Sequence, residues 1–314
     1  MSSAAMKTWS ASCAASAARL SASRIDNTRF TRGDCMCSSL FYRGKTMSFY
    51  YSVASGSSGN CAVWQAGDTS VLIDLGVSVR ALGKALHDID MEIEDLSAVL
   101  LTHEHTDHIK GLATFTKKYD LPVYATFGTA AAILQKLPQA EKNLHTFAGG
   151  EQFEIDGLQV RSMPIPHDAA EPVAYRIDGG GHRLGYVTDV GFLPDHIRST
   201  ISGCDTVVLE SNHDVDMLRT GPYPMYLKQR IRGKYGHLSN EDCARGAAAL
   251  AQAGAKRLVL AHLSDKNNNP LTALRCTQRV LDGTECELYV APRGAMEQPL
   301  MLAAGEDTQC SLFD

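Results

Sequence analysis

The run Leu100-Leu101-Thr102-His103-Glu104-His105-Thr106-Asp107-His108 constrains this chain more than any other stretch. It sets three histidines and two carboxylates directly behind the apolar segment Leu96-Ser97-Ala98-Val99-Leu100-Leu101, which reads as a buried strand delivering a loop. Imidazole and carboxylate form the ligand set of borderline divalent ions such as zinc, manganese or iron. An extended backbone points His103 and His105 the same way, while Asp107 and His108 lie past the bend and are placed to serve a second ion. A solvated face has no reason to follow a hydrophobic strand so abruptly.

At 314 residues, 44% hydrophobic and 21% charged, the chain has the make-up of a soluble globular protein with a full core. Its net charge of −5 argues against a generally basic nucleic-acid coat but leaves room for a local basic groove. The nine cysteines lack zinc-finger spacing, which points to reduced thiols in a cytoplasm. No apolar run approaches the ~20 residues that cross a bilayer, so no membrane partner is expected.

Residues 1–46 are rich in Ser and Ala and carry Arg19, Arg24, Arg29, Arg32 and Arg43 against the acids Asp26 and Asp34. They read as a disordered or non-native extension, with Met47 as the start of the working domain, which is taken to run over 47–302. Past Met47, strands over Phe49–Val53, Cys61–Gln65 and Ser70–Asp74 surround the loop Ser55-Gly56-Ser57-Ser58-Gly59-Asn60 and the turn Gly67-Asp68. Ser57, Ser58 and Asn60 in that small-residue loop are candidates to meet a substrate anion. Asp74 is expected to hydrogen-bond a neighbouring loop. Further on, the pattern gives helices over Val79–His87, Ile109–Tyr119 and Gly128–Leu137, with a strand over Pro122–Thr126. A motif then recurs: an apolar strand followed at its end by a ligand-type residue. It yields His167, Asp189, Glu210 and His262 after strands over 159–164, 183–188, 206–209 and 257–260. Hairpins in both halves disfavour a purely parallel sheet. An α/β sandwich of two mixed sheets with helices outside accounts for them better.

The string His-x-His-x-Asp-His at 103–108, with His167, Asp189 and His262 following in that order, resembles the metallo-β-lactamase superfamily over residues 47–302. The resemblance implies the αββα sandwich of that fold and two divalent metal ions, Zn2+ or Mn2+. One ion would take His103, His105 and His167 and the other Asp107, His108 and His262, with Asp189 as the bridge. β-Lactamases commonly carry cysteine at the bridging position, so Asp189 moves the chain toward the hydrolase and nuclease branches. Ser55-Gly56-Ser57-Ser58-Gly59-Asn60-Cys61, Glu210-Ser211-Asn212-His213-Asp214, Gly236-His237-Leu238-Ser239-Asn240 and Ala261-His262-Leu263-Ser264 resemble the YycJ/WalJ branch. That branch implies exonuclease action on DNA from the 5′ end, in repair or DNA metabolism. Glu210 and His237 resemble the Glu–His pair of the RNase Z branch, which hands a proton to the leaving group. On this reading Asp107, His237 and Glu210 are the catalytic candidates.

Arg219, Lys228, Arg230, Arg232 and Lys234 fall in a stretch without an acid between Met217 and His237. Arg230, Arg232 and Lys234 are taken as contacts to a nucleic-acid backbone, with Tyr223, Tyr226 and Tyr235 interleaved to stack on bases. The chain ends Gln309-Cys310-Ser311-Leu312-Phe313-Asp314 after a polar spacer. Gln309, Leu312 and Phe313 there resemble the peptide by which proteins dock on the bacterial DNA sliding clamp, on a flexible tail over 303–314. The alternatives from the same residues are RNA 3′-end processing, hydrolysis of a small ester or lactone, and a metal-stabilised binding module.

Overall fold

Alternate side chains along the central strands enter different cores, and this sets the architecture of the computed structural model, which describes Phe41–Tyr42 and residues 45–302. A short hairpin, β1 (Phe41–Tyr42) and β2 (Lys45–Thr46), pairs ahead of Met47, so regular backbone begins before the boundary read from composition. β3 (Phe49–Ala54), β4 (Cys61–Ala66), β5 (Thr69–Ile73), β6 (Ala98–Leu100), β7 (Val123–Thr126) and β8 (Leu144–Phe147) belong to one sheet. β9 (Gln152–Ile155), β10 (Leu158–Pro164), β11 (Val173–Gly179), β12 (His182–Val187), β13 (Thr206–Glu210), β14 (Arg257–Ala261) and β15 (Glu287–Val290) make the other. β16 (Leu300–Met301) then returns to the first sheet and pairs antiparallel with β3. Both sheets are mixed: β5 to β8 run parallel in the first, and β12 to β15 in the second.

Val71, Ile73 and Leu100 share one cluster with Tyr175, Val208 and Val259 of the opposite sheet. Leu72 and Val99, one residue out of phase, pack outward under α1 (Val79–His87). The same phase flip sends Leu209, Leu258 and Leu260 outward into the other helical layer. A period of two with both faces buried is what a strand inside a sandwich requires.

α2 (Thr106–Ile109) and α3 (Leu112–Lys118) occupy the stretch where a single helix over 109–119 was expected. The break has a tertiary cause. Gly111 donates its N–H to Leu75 O at 2.9 Å, and the Asp107 and His108 carbonyls accept from Asn60 N and Leu75 N at 2.7 Å each. Any side chain at 111 would also run into the Val77 carbonyl and the Leu75 side chain. α4 (Phe127–Lys136) completes that layer. Past β12 come α5 (Asp195–Ile201), α6 (Val215–Thr220), α7 (Met225–Arg232), α8 (Asn240–Gln252) and α9 (Pro270–Leu281), of which α5, α8 and α9 pack into the other helical layer. α8 and α9 start on the caps Ser239 and Asn269, whose side chains accept from Asp242 N and Thr272 N, each cap contributing about 1 kcal/mol. The basic stretch forms α6 and α7, which bury only Leu218 and Ile231 respectively. None of the helices in the described residues is long and apolar enough to cross a membrane.

Candidate active site

Parallel strands put their C-terminal ends on one rim, and at that rim three strand ends turn through left-handed backbone. Asp74 after β5 has φ 59°, Asp189 after β12 has φ 57°, and His262 after β14 has φ 55°. A non-glycine residue in that region costs about 1 kcal/mol, offset by surroundings that fix it. Past each turn the side chain meets the same cluster: Asp74 and Asp189 reach His108, and His262 reaches Asp189. Glu210, the last residue of β13, brings its carboxylate to the same group of converging atoms as Asp189, His237 and His262.

The sequence-predicted ligand types meet there. Ligand atoms of His103, His105 and His167 lie within 4.8 Å of one another, as do those of Asp107, His108 and His262. Asp189 stands between the groups, 3.3 Å from His108 Nε2, 3.9 Å from His167 Nε2 and 3.3 Å from His262 Nδ1. His103, His108, His167, Asp189 and His262 are buried, whereas His105 and Asp107 look into a cleft. His103 Nε2, His262 Nε2 and Asp189 Oδ2 are buried without a hydrogen-bond partner. A polar atom left so typically costs about 1–3 kcal/mol, and its persistence needs a reason. The donor set and its inward-facing unpaired atoms fit divalent cations.

Four of the imidazoles are steered from behind, which is how metal-ligating histidines are oriented. His108 Nδ1 donates to Asp74 Oδ2 at 2.8 Å, and Asp74 also accepts the Thr102 amide at 2.8 Å. His167 Nδ1 donates to Gly236 O at 3.2 Å. Glu210 Oε1 accepts from both His237 Nδ1 and His262 Nδ1 at 2.8 Å, while its Oε2 takes the amides of Val190 (2.8 Å) and Leu238 (3.1 Å). Burial alone would raise the Glu210 carboxyl; His237 and His262 overcome it and hold the pKa at about 2. Burial works against a charge on His262, but Asp189, Asp107 and Glu210 outweigh it and push the pKa up to about 10. His103, with burial and neighbouring imidazoles against it, is held well below the usual histidine value.

The cleft over this cluster measures about 470 Å³ and is walled by residues that include Ser57, Lys136, Asn212, Tyr223, Arg230, His237 and Ser264. Ser57 and Arg230 thus line the cleft, and Ser58 is exposed. Asn60 is not at the surface: it is buried, and its amide faces Asp107 Oδ2 (3.3 Å) and His108 Nε2 (3.1 Å). Its place is to steady those two side chains rather than to meet a substrate. Arg232 lies along a separate depression with Leu218, Arg219 and Met225, because α7 turns it away from Arg230. Lys234 points between the rings of Phe192 and Tyr235. The stretch is also less cationic than its composition suggests. Arg219 pairs with Asp216 at 3.0 Å and Arg230 with Asp168 at 2.5 Å. Lys136, Asn212 and Ser264 were missed as site residues. The strings 210–214 and 261–264 were the available signal for the last two, while nothing local marks Lys136. Gln309, Leu312 and Phe313 lie outside the described residues.

Residues 69–263 match the family described as a beta-lactamase superfamily domain. The chain is 38% identical to exodeoxyribonuclease YycJ of Bacillus anthracis over 240 residues, covering 75% of this chain and 90% of that protein. It is 36% identical to exodeoxyribonuclease WalJ of Streptococcus pneumoniae serotype 2 (strain D39) over 228 residues, covering 71% and 84%. Among solved structures, the metallo-beta-lactamase fold protein YhfI from Bacillus subtilis superposes with a TM-score of 0.60 at 22% identity, covering 79% of this chain and 98% of that one. Zn(2+)-bound PqqB from Methylobacterium extorquens gives 0.61 at 20% identity, covering 81% and 99%. At those identities the two structures speak for the fold alone.

Proposed function

Because the chain belongs to the beta-lactamase superfamily, in the family of the exodeoxyribonucleases YycJ and WalJ, we propose that it is a metal-dependent phosphodiesterase that removes nucleotides from the 5′ end of DNA. It would act in the cytoplasm during repair or other DNA metabolism, brought to its substrate by clamp docking through Gln309, Leu312 and Phe313. The observation that carries the reading is the convergence of His103, His105 and His167 beside Asp107, His108 and His262, with Asp189 between, on the floor of an open cleft. Two ions, Zn2+ or Mn2+, would be held by those two triads, with Asp189 shared. Bound there, they would lower the pKa of a coordinated water and offset charge on phosphoryl oxygens.

The side chains divide the rest of the work. Asp107 orients the attacking water and accepts its proton. His237 turns Nε2 to the cleft because Glu210 holds its Nδ1, and it protonates the departing 3′ oxygen. Arg230, whose guanidinium is fixed by Asp168, and Lys136, which lines the same cleft, meet the flanking phosphates. The test is an assay on end-labelled single- and double-stranded DNA and RNA with Mn2+ or Zn2+. Asp107→Ala is expected to lower turnover by about 10³-fold. A wild-type protein that opens lactones or trims RNA but leaves DNA intact would overturn the reading.

A further inference from the structure

Outside the cleft, a cation stands over two half-exposed aromatic rings. Lys234 Nζ is 6.0 Å from the Phe192 centroid and 5.6 Å from that of Tyr235. Phe192 is 42% exposed and Tyr235 55%. The ion pairs that occupy Arg219 and Arg230 have no counterpart at Lys234 among the described residues. Each ring hangs on a loop that ends in the active site: Phe192 is three residues beyond Asp189, and Tyr235 is two residues before His237. Two residues span at most about 7 Å, so Tyr235 sits at the lip of the cleft.

The two loops pass close to each other and are both tied to the segment Pro166-His167. Gly191 donates to Pro166 O at 3.1 Å, and any side chain at 191 would collide with the Lys234 carbonyl. Gly236 donates back to Gly233 O at 2.9 Å while its own carbonyl takes His167 Nδ1 at 3.2 Å. The rings are thus carried by backbone that is fixed to the candidate ligands.

We infer that Phe192, Lys234 and Tyr235 form a stacking platform for an unpaired nucleotide of the DNA strand that enters the cleft, an inference that rests on the nuclease reading above. Large exposed π faces flanking a free cation match the two things a single strand offers at each step, a bare base face and a phosphate. A duplex offers the phosphate only, since its bases already stack on one another. The platform therefore selects single-stranded or frayed ends and feeds them to the metal site. It adds Phe192, which lies outside the basic stretch, and singles out Tyr235 from the tyrosines within it.

The experiment uses the full chain with Mn2+ and three substrates: a thymidine dodecamer, a blunt duplex and bis(p-nitrophenyl) phosphate, which reaches only the cleft. Phe192→Ala with Tyr235→Ala is expected to raise KM for the dodecamer by about 10-fold or more, leaving kcat and bis(p-nitrophenyl) phosphate turnover within about twofold. The ring-keeping pair Phe192→Tyr and Tyr235→Phe should retain the wild-type KM. Lys234→Gln should flatten the log–log salt dependence of dodecamer binding by about 0.7. An unchanged KM in the double alanine variant, or a rise in the ring-keeping one, overturns the platform while the nuclease reading stands. A wild-type protein that hydrolyses bis(p-nitrophenyl) phosphate but no oligonucleotide overturns both.

Discussion

Each sheet delivers one fully buried carboxylate to the back of the site, and the two are loaded differently. Asp74, behind β5, meets a single imidazole, His108, and fills its remaining positions with the amide and hydroxyl of Thr102. Glu210, at the end of β13, meets two imidazoles and two amides. Burial pushes both carboxyls up. In Asp74 burial prevails and the pKa stands above the usual value, whereas His237 and His262 reverse it in Glu210. Equal depth therefore does not shift two carboxyls the same way; the imidazoles each one meets decide the direction. Asp74 steadies one ring. Glu210 ties the candidate proton donor to a candidate metal ligand.

The sharpest way to break that contrast is to delete the carboxylates in turn. Glu210→Ala frees two rings and strands the Val190 and Leu238 amides, so nuclease turnover should fall by about 10³-fold and unfolding free energy by about 3–5 kcal/mol. Urea melts read the second effect, and a Glu210→Ala protein no worse than Asp74→Ala in either assay would erase the distinction. Asp74→Ala loosens one imidazole, His108, together with the Thr102 amide and hydroxyl. Its expected cost is a 10- to 100-fold (about that range) weaker Zn2+ affinity by calorimetry, with turnover close to wild type at saturating metal. A turnover defect that excess metal does not relieve would show that Asp74 does more than steer a ligand.

The smallest effect concerns His213, the buried imidazole near Glu210 that Glu210 does not hold. Burial depresses its pKa to about 4 although the Glu210 charge works the other way. With the folded value below the unfolded one, the unfolded chain binds the extra proton first. Stability is then full above about pH 6.5 and is lost as the pH falls toward 4. Moving from pH 7 to pH 5 should cost about 1–2 kcal/mol through this group, and His213→Gln should remove that part of the pH dependence. Parallel pH profiles for the two proteins would show that a neighbouring carboxylate protects an imidazole even without a hydrogen bond.

The two sheets also differ in how well their site residues read from the chain. His103, His105, Asp107 and His108 sit in one string because a single strand and its loop carry them, so local chemistry was enough to find them. His167, Asp189, Glu210 and His262 come from separate strands. They showed only as a recurring strand-then-ligand pattern, and their meeting depended on β10, β12, β13 and β14 all ending at the same rim. Three elements that escaped reading share a physical trait. β8 is an edge strand with its central residues exposed, α7 buries only Ile231, and β16 pairs with a strand from the far end of the domain. None offers the periodic apolar face that betrays an element in isolation.

What the amino-acid order determined by itself was which residue types could bind metal and that buried strands would present them, since hydrophobic alternation and ligand chemistry are local properties. Tertiary structure alone decided the division of labour. It withdrew Asn60 from the surface to steady Asp107, turned Arg232 away from the cleft, brought in Lys136, and gave Glu210 a second imidazole to hold. Those outcomes depend on which loops meet across the seam of the sandwich, and such contacts join residues too distant along the chain for any local pattern to register.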